Sequence, residues 1–272
     1  MPELPEVETI VRRYRPDLEG RRIVGFASYC PQQVRPGVAS FRRAIVGQTI
    51  TRLTRRAKYI LAHLDRGGLL LHLGMSGRLE WSDAVGFDGR HVRAAWELDN
   101  GRRLVFCDPR KFGRIRYVRD LKDFGTALGP EPLESDFSVT VLGRLLGRHR
   151  RQLKPLLLDQ SVIAGLGNIY ADEVLFRARL HPTTRSDQLT GREVRRLHQA
   201  IRQVLRQAIA YQGTSFDWAY AGGRMQTRLQ VYGRAGRPCP RCRTPIARIR
   251  VAQRSTHLCP QCQPADGRAP AS

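Results

Sequence analysis

The chain opens Met1-Pro2-Glu3-Leu4-Pro5-Glu6-Val7-Glu8. Initiator methionine is trimmed when a small residue follows, and its loss would give Pro2 a free secondary amine. An α-amino group titrates near ~8 and a lysine near ~10.4, so at neutral pH the terminal amine is far more often unprotonated. Such an amine can condense with a masked aldehyde to a Schiff base, and the neighbouring Glu3 carboxyl can move the protons. The same residues also read as a plain helix start, with Pro early and Glu in the first turn. On these residues alone both readings stand.

A second group lies near the other end. Cys239-Pro240-Arg241-Cys242 and Cys259-Pro260-Gln261-Cys262 are separated by sixteen residues. Two such knuckles supply four thiolates in tetrahedral array for one zinc ion. Four thiolates leave no open position, so the zinc is expected to be structural, and His257 is not needed as a ligand. Thr244–Arg250 and Ser255–Leu258 are expected to form a hairpin with its tip near Ala252-Gln253-Arg254. That places Arg254 where it can reach a ligand, although a solvated basic turn reads equally well. Cys30 and Cys107 stand alone in apolar-rich segments and read as small core residues. The pattern is not a disulfide framework.

Smaller signals lie between. Gly165-Leu166-Gly167-Asn168 separates two helical stretches, and such a turn lets backbone approach a phosphate, with helix N-terminal amides behind it. Lys58 follows Arg55-Arg56-Ala57 at the head of a strand. Met75 sits between glycines in Leu73-Gly74-Met75-Ser76-Gly77, and Arg110 and Phe112 occupy the turn Asp108–Gly113. Each alone has an ordinary structural reading. Together, Met75, Arg110 and Phe112 could form a wedge into stacked bases.

These residues need elements to position them. The 272 residues suggest two domains. Pro5 to Leu18 reads as a helix, with Val7, Ile10, Val11, Tyr14 and Leu18 at helical spacing. From Arg22 to Val118 the pattern is one of short strands: Ile50–Leu53, Tyr59–Leu64, Leu69–Leu73, Val92–Leu98, Arg103–Cys107 and Ile115–Val118. Their spacing suggests a sandwich or barrel. Gly129-Pro130-Glu131-Pro132 reads as a linker. Helices follow at Val139–Gly147, Val162–Ala164, Ile169–Arg177 and Gly191–Tyr211, then the cysteine module and a Pro/Ala/Gly tail expected to be disordered.

Lys and Arg number 47 against 24 acidic residues, a net charge of +23. That excess suits a polyanion, most simply nucleic acid, rather than a small metabolite. No apolar run approaches the ~18 residues of a membrane span. The start is acidic and amphipathic, unlike a signal peptide. The expectation is a cytoplasmic protein with no membrane partner.

The segments PELPEVE, RRAKY, HLGMSG, DPRKFG, LGPEPL, GLGNIYADE, LQVYGR and the paired CxxC knuckles, in this order, resemble the bacterial formamidopyrimidine-DNA glycosylase family of base-excision enzymes. The resemblance runs from Pro2 to Cys262. It implies an α+β multi-domain fold: an N-terminal β-sandwich with an N-terminal helix, then a helix–two-turn–helix domain with a C-terminal β-hairpin zinc finger. The implied boundaries are a catalytic domain at 1–128, a linker at 129–134, the helical DNA-binding domain at 135–228, the finger at 229–263 and the tail at 264–272. DNA would lie in the cleft between the domains. The implied activity is bifunctional: excision of 8-oxoguanine and formamidopyrimidines from duplex DNA, then strand cleavage by β,δ-elimination, by a monomer. By the same resemblance Pro2 is the nucleophile and Glu3 the acid. Lys58 serves β-elimination and phosphate contact, and Arg254 serves δ-elimination. His91, Arg110, Arg151 and Asn168 contact DNA, and Met75, Arg110 and Phe112 fill the gap left by an extruded nucleotide. Glu6 and Glu173 shape the site, and Ser215–Thr227 holds the extruded base.

Three alternatives compete. An endonuclease VIII-like glycosylase shares the fold and prefers oxidised pyrimidines, but that branch starts PEGPE and this chain has Leu4. A non-catalytic zinc-finger DNA-binding protein explains the charge and the finger and gives Pro2-Glu3 no purpose. A ribosome-associated RNA binder predicts neither the wedge nor an N-terminal amine site.

Overall fold

The computed structural model describes residues 1–121, 124–215 and 222–265. The chain divides into two compact units, one of Met1–Ala127 with Gln212–Gly223 and the other of Leu128–Tyr211 with Arg224–Ser272.

In the first unit, helix α1 (Leu4–Leu18) buries Val7, Ile10, Val11, Tyr14 and Leu18, the stripe the spacing predicts. Strands β1 (Ile23–Ser28) and β2 (Val34–Arg35) and helix α2 (Val38–Ile45) follow. Next come β3 (Ile50–Arg56), β4 (Tyr59–Leu64), β5 (Gly68–His72), β6 (Arg78–Trp81), β7 (Val92–Leu98), β8 (Arg103–Cys107) and β9 (Arg114–Val118). They form a four-stranded sheet ordered β1-β7-β8-β6 and a five-stranded sheet ordered β2-β9-β5-β4-β3. All pairings are antiparallel except β2 with β9. Inward residues of both sheets, α1 and α2 share one apolar core, including Ile23, Phe41, Leu71, Leu98, Phe106 and Ile115. A void of about 40 Å³ remains in it, bordered by Leu18, Ile60, Leu71, Trp96, Leu98 and Leu104.

The sequence reading differs in one place here: α2 interrupts what was expected to be strands throughout. Its apolar signal is short, with Phe41 and Ile45 four apart and buried.

In the second unit, α3 (Val139–Arg148) starts at Ser138, whose hydroxyl accepts the Val141 N–H. Helices α4 (Leu153–Leu158), α5 (Asn168–Ala178) and α6 (Gly191–Ala210) follow. A capping box of Thr190 and Glu193 starts α6. Helix α5 is the buried centre, with Ile169, Tyr170, Val174, Leu175 and Phe176 enclosed. Strands β10 (Ala247–Val251) and β11 (Arg254–Leu258) complete the unit as a hairpin.

Two expectations change. Val162–Ala164 is not a helix but a buried turn: the N–H groups of Val162 and Ile163 bond Asp159 O, and that of Ala164 bonds Pro130 O. Three residues cannot recover the cost of helix nucleation. Helix α4 escaped notice because Pro155 lies within it, in the first turn, where proline is tolerated. The Gly129–Pro132 stretch is anchored within the second unit. Gly129 N–H bonds Gln160 O, and a Cβ there would meet Val162 backbone at 2.5 Å.

Leu98 is 2% exposed and borders the void. Leu98→Ala is expected to lower unfolding free energy by about 2–5 kcal/mol, read as a lower urea midpoint by tryptophan fluorescence. A loss well below that would mean the sheets collapse onto the space.

Candidate functional site

Pro2, Glu3 and Glu6 are buried at the start of α1, while Met1 is 39% exposed. The Glu6 carboxylate is a fixed point. Its Oε2 accepts the Glu3 N–H at 2.9 Å, and its Oε1 accepts the Thr214 N–H at 2.7 Å and the Thr214 hydroxyl at 3.2 Å. One side chain thus ties the amino end to a segment 208 positions later. Gly213 makes the approach possible: its φ is +73°, and a Cβ would lie 2.7 Å from Glu6 Oε1. Sequence reasoning missed Thr214, since nothing local announces a contact of that range.

Lys58 lies in the two-residue turn between β3 and β4, not on a strand, because Arg56 pairs with Tyr59. Ala57 takes φ 53° to make the turn, and Lys58 is only 5% exposed. Beside it the His72 ring packs on Tyr59 at 4.7 Å and its Nδ1 accepts the Gly74 N–H at 3.1 Å. Burial, then the charges of Lys58 and Arg114, push His72 down to about 4. It is neutral at pH 7 and adds no second cation next to Lys58.

Met75, Arg110 and Phe112 stand on two loops of the same unit, each exposed, Met75 at 40% and Phe112 at 48%. Arg110 Nη1 lies 3.4 Å from Met75 Sδ, and its guanidinium stacks over the Phe112 ring at 4.7 Å. Arg110 thus joins the two loops through its contacts with Met75 and Phe112. Asp108, fully buried, holds both loops. Its Oδ1 accepts the Ser76 hydroxyl at 2.7 Å; its Oδ2 accepts the Gly113 N–H and Gln33 Nε2, each at 2.8 Å. Ser76 Oγ in turn accepts the Arg110 N–H at 3.3 Å. Asp108 and Ser76 were inside quoted motifs yet given no role; the signal was a carboxylate two residues before an arginine in a turn otherwise basic. His91 is exposed with φ 62°, and its carbonyl accepts the Asp108 N–H at 2.9 Å.

In the second unit, Gln160 shapes the turn before α5. Its Oε1 accepts the Gly165 N–H at 2.9 Å and its Nε2 donates to Leu166 O at 2.8 Å. Asn168 then opens α5; its Nδ2 donates to Ser255 O at 3.2 Å, and its buried Oδ1 has no hydrogen-bond partner among the described residues. Arg254 begins β11, exposed, after a two-residue turn with Ala252 at φ 45° and Gln253 at φ 61°. The hairpin tip is where expected, but β10 begins three residues later than read.

A buried ion pair fixes the hairpin. Lys154 and Asp172, both 0% exposed, meet at 2.6 Å. Lys154 Nζ also donates to Ser255 O and Thr256 Oγ1, and Asp172 Oδ2 accepts the His257 N–H at 2.8 Å. Glu173 accepts the N–H groups of Gln230, Val231 and Tyr232 at 2.9–3.1 Å. Burial pushes its carboxyl up while those three amides pull it back. Arg151 is exposed and paired with Asp159 at 2.8 Å.

The Sγ atoms of Cys239, Cys242, Cys259 and Cys262 lie within 4.8 Å of one another. Three separations are 3.4, 3.5 and 3.9 Å, against ~3.8 Å for a tetrahedron with Zn–S bonds of ~2.3 Å. The Arg241 and Cys262 N–H groups point at Cys239 and Cys259 sulfurs at 3.4 Å. The four thiolates fit one zinc, whose chemistry there is structural, and His257 faces Asp172 instead.

Burial and Glu80 push the Cys107 thiol up to about 12, so it is inert. Of the expected base-holding loop Ser215–Thr227, residues 216–221 lie outside the described residues, as do 266–272 of the tail. Among the described residues no helix is long and apolar enough to cross a membrane.

Three family models match in order: the formamidopyrimidine-DNA glycosylase N-terminal domain at residues 1–115, its H2TH domain at 128–219, and the zinc finger found in FPG and IleRS at 236–265. A formamidopyrimidine-DNA glycosylase of Chloroflexus aurantiacus is 47% identical over 271 residues, covering 97% of this chain and 98% of the relative. A Lactococcus lactis formamidopyrimidine-DNA glycosylase, solved non-covalently bound to DNA containing an AP site, superposes with TM-score 0.90 at 34% identity. That match covers 96% of this chain and 99% of that one. The same protein in complex with N7-benzyl-Fapy-dG DNA gives TM-score 0.91 at 36% identity, covering 97% and 100%.

Asp108→Asn places an amide donor against the Ser76 hydroxyl or the Gly113 N–H. A loss of about 1–3 kcal/mol is expected, with faster hydrogen exchange at the Gly113 and Arg110 amides; unchanged exchange would remove Asp108 as the anchor. For the finger, metal analysis should give one zinc per chain, and Cys259→Ser should lose the zinc and weaken duplex binding. A metal-free preparation that binds DNA fully would contradict this.

Proposed function

The chain belongs to the formamidopyrimidine-DNA glycosylase family, DNA-binding glycosylases of base excision repair for which AP lyase activity is known, and from that premise we propose the roles of its residues. With Met1 removed, the Pro2 nitrogen attacks C1′ of an oxidised purine nucleotide. Glu3 protonates the ring oxygen, the sugar opens, and the bond from C1′ to the base breaks. The base leaves and an iminium joins Pro2 to the sugar. That iminium acidifies the C2′ proton; its loss expels the 3′ phosphate. Loss of the C4′ proton then expels the 5′ phosphate. Lys58 assists the first elimination and holds phosphate, and Arg254 assists the second.

The carrying observation is the pair of buried carboxylates at the head of α1: Glu3, 2% exposed, directly follows Pro2, and its own N–H is fixed by Glu6. An acid so held adds about 10²–10⁴-fold to a reaction. The contacting Met75–Arg110–Phe112 trio supports base extrusion, since stacking on an aromatic offsets about 1–3 kcal/mol per base of the few kcal/mol that flipping costs. Asn168, at an α5 start with an open amide oxygen, and His91, Arg110 and Arg151 serve as DNA contacts. Glu6 and Glu173 hold the backbone around them. We take the protein to act alone, as a cytoplasmic monomer, on oxidised purines in duplex DNA.

Borohydride added during reaction with an 8-oxoguanine duplex should trap a covalent adduct, mapped to Pro2. Glu3→Gln should lower base excision about 10²–10⁴-fold while duplex affinity changes little. An adduct on Lys58, or normal turnover in Glu3→Gln, would displace this assignment.

A further inference from the structure

One strongly basic cavity takes no part in the site above. It is an open space of about 470 Å³ in the second unit, bordered by Arg177, Arg179, Arg196, Arg241, Gln199 and Gln230 among others, with no carboxylate in its lining. Arg177 and Arg179 close the carboxyl end of α5, Arg196 comes from α6, and Arg241 from the first zinc knuckle. Compensation of a helix dipole accounts for a cation at this end, not for four converging from three elements.

Some of the four are partly committed. Arg177 Nε donates to Gln203 Oε1 at 2.8 Å. Arg241 Nη1 donates to Phe176 O at 2.9 Å, with its guanidinium over the Phe176 ring at 4.3 Å. Arg196 reaches Glu193 only at 3.7 Å. Arg179 has no carboxylate within ion-pair distance among the described residues. It stands at the α5 cap with φ 55°, where helices commonly place glycine. Even with a zinc–tetrathiolate centre of charge −2 beside Arg241, the cavity keeps a positive excess.

Position separates this cavity from the other DNA contacts of its unit. Asn168 and the Arg254 tip lie together at the amino end of α5, joined by Asn168 Nδ2 to Ser255 O. The cavity lies at the carboxyl end, ~15 Å away along the helix at 1.5 Å per residue. Arginine forks match phosphate oxygens, and glutamine amides beside them can engage sugar or base edges.

We propose that this cavity binds the phosphates of a second DNA segment, so that the protein can touch a new duplex before it releases the first. The proposal uses DNA as partner and is independent of the catalytic roles assigned above. Its test uses the full zinc-bound chain with Arg179→Ala/Arg196→Ala, and Arg192→Ala/Arg195→Ala as a control of equal charge on exposed α6 positions. Dissociation from a short labelled lesion duplex is followed against rising unlabelled duplex. The wild-type rate should climb with competitor. In the cavity variant the climb should fall about tenfold, as expected for two lost phosphate contacts, and its salt slope should shrink by about 2. The control should match wild type, and single-turnover excision on the short duplex should be the same for all three. A wild-type rate independent of competitor, a cavity variant that behaves as wild type, or equal loss in the control overturns the proposal. So does a labelled polyglutamate that binds wild type but not the cavity variant and is not displaced by duplex.

Discussion

Buried carboxylates hold this molecule's working loops. Glu6, Asp108, Asp172 and Glu173 are each below 5% exposed. Each accepts backbone N–H groups from a segment it must fix: Thr214, Gly113, His257 and the Gln230–Tyr232 run. A desolvated carboxylate is unfavourable unless hydrogen-bonded, and a loop amide gains most from a charged acceptor. The two demands satisfy each other. In a chain of charge +23, these few acids are placed where they anchor backbone.

The basic residues have the complementary task. Arg110 and Arg151 are exposed on a turn and a bend, and Arg254 is exposed as the first residue of β11. The exceptions are instructive. Lys154 is wholly buried and holds Asp172, Ser255 and Thr256 together, and removing one partner of such a pair costs about 3–5 kcal/mol. Lys58, almost buried, sits beside a histidine kept neutral by burial and by that lysine's charge.

Much of this was legible in the chain. Periodicity located α1 and α6 within a residue or two, and short strand-like runs between turns located β4, β7 and β8. Cysteine spacing gave the four-sulfur cluster and the hairpin tip. Elements failed where the signal was short or mixed: α2 has few apolar positions, α4 contains a proline, and Val162–Ala164 is apolar because it is buried in a turn. At the candidate site, the residues proposed to carry chemistry were singled out by type and motif. The residues that fix them, Thr214, Ser76, Gln33 and Asp172, were not. Their partners lie between 18 and 208 positions away, and one sequence carries no mark of such pairings.

The bond from Glu6 to Thr214 has a consequence for biosynthesis. The first unit is discontinuous, since it takes back residues from Gln212 onward after the helices of the second have been made. On the ribosome, then, the sandwich emerges early, but the tie from Glu6 to Thr214 waits until the chain has grown some 200 positions further. The last piece of the first unit is thus supplied only after the helices of the second have been made, and an amino-terminal fragment lacks that tie.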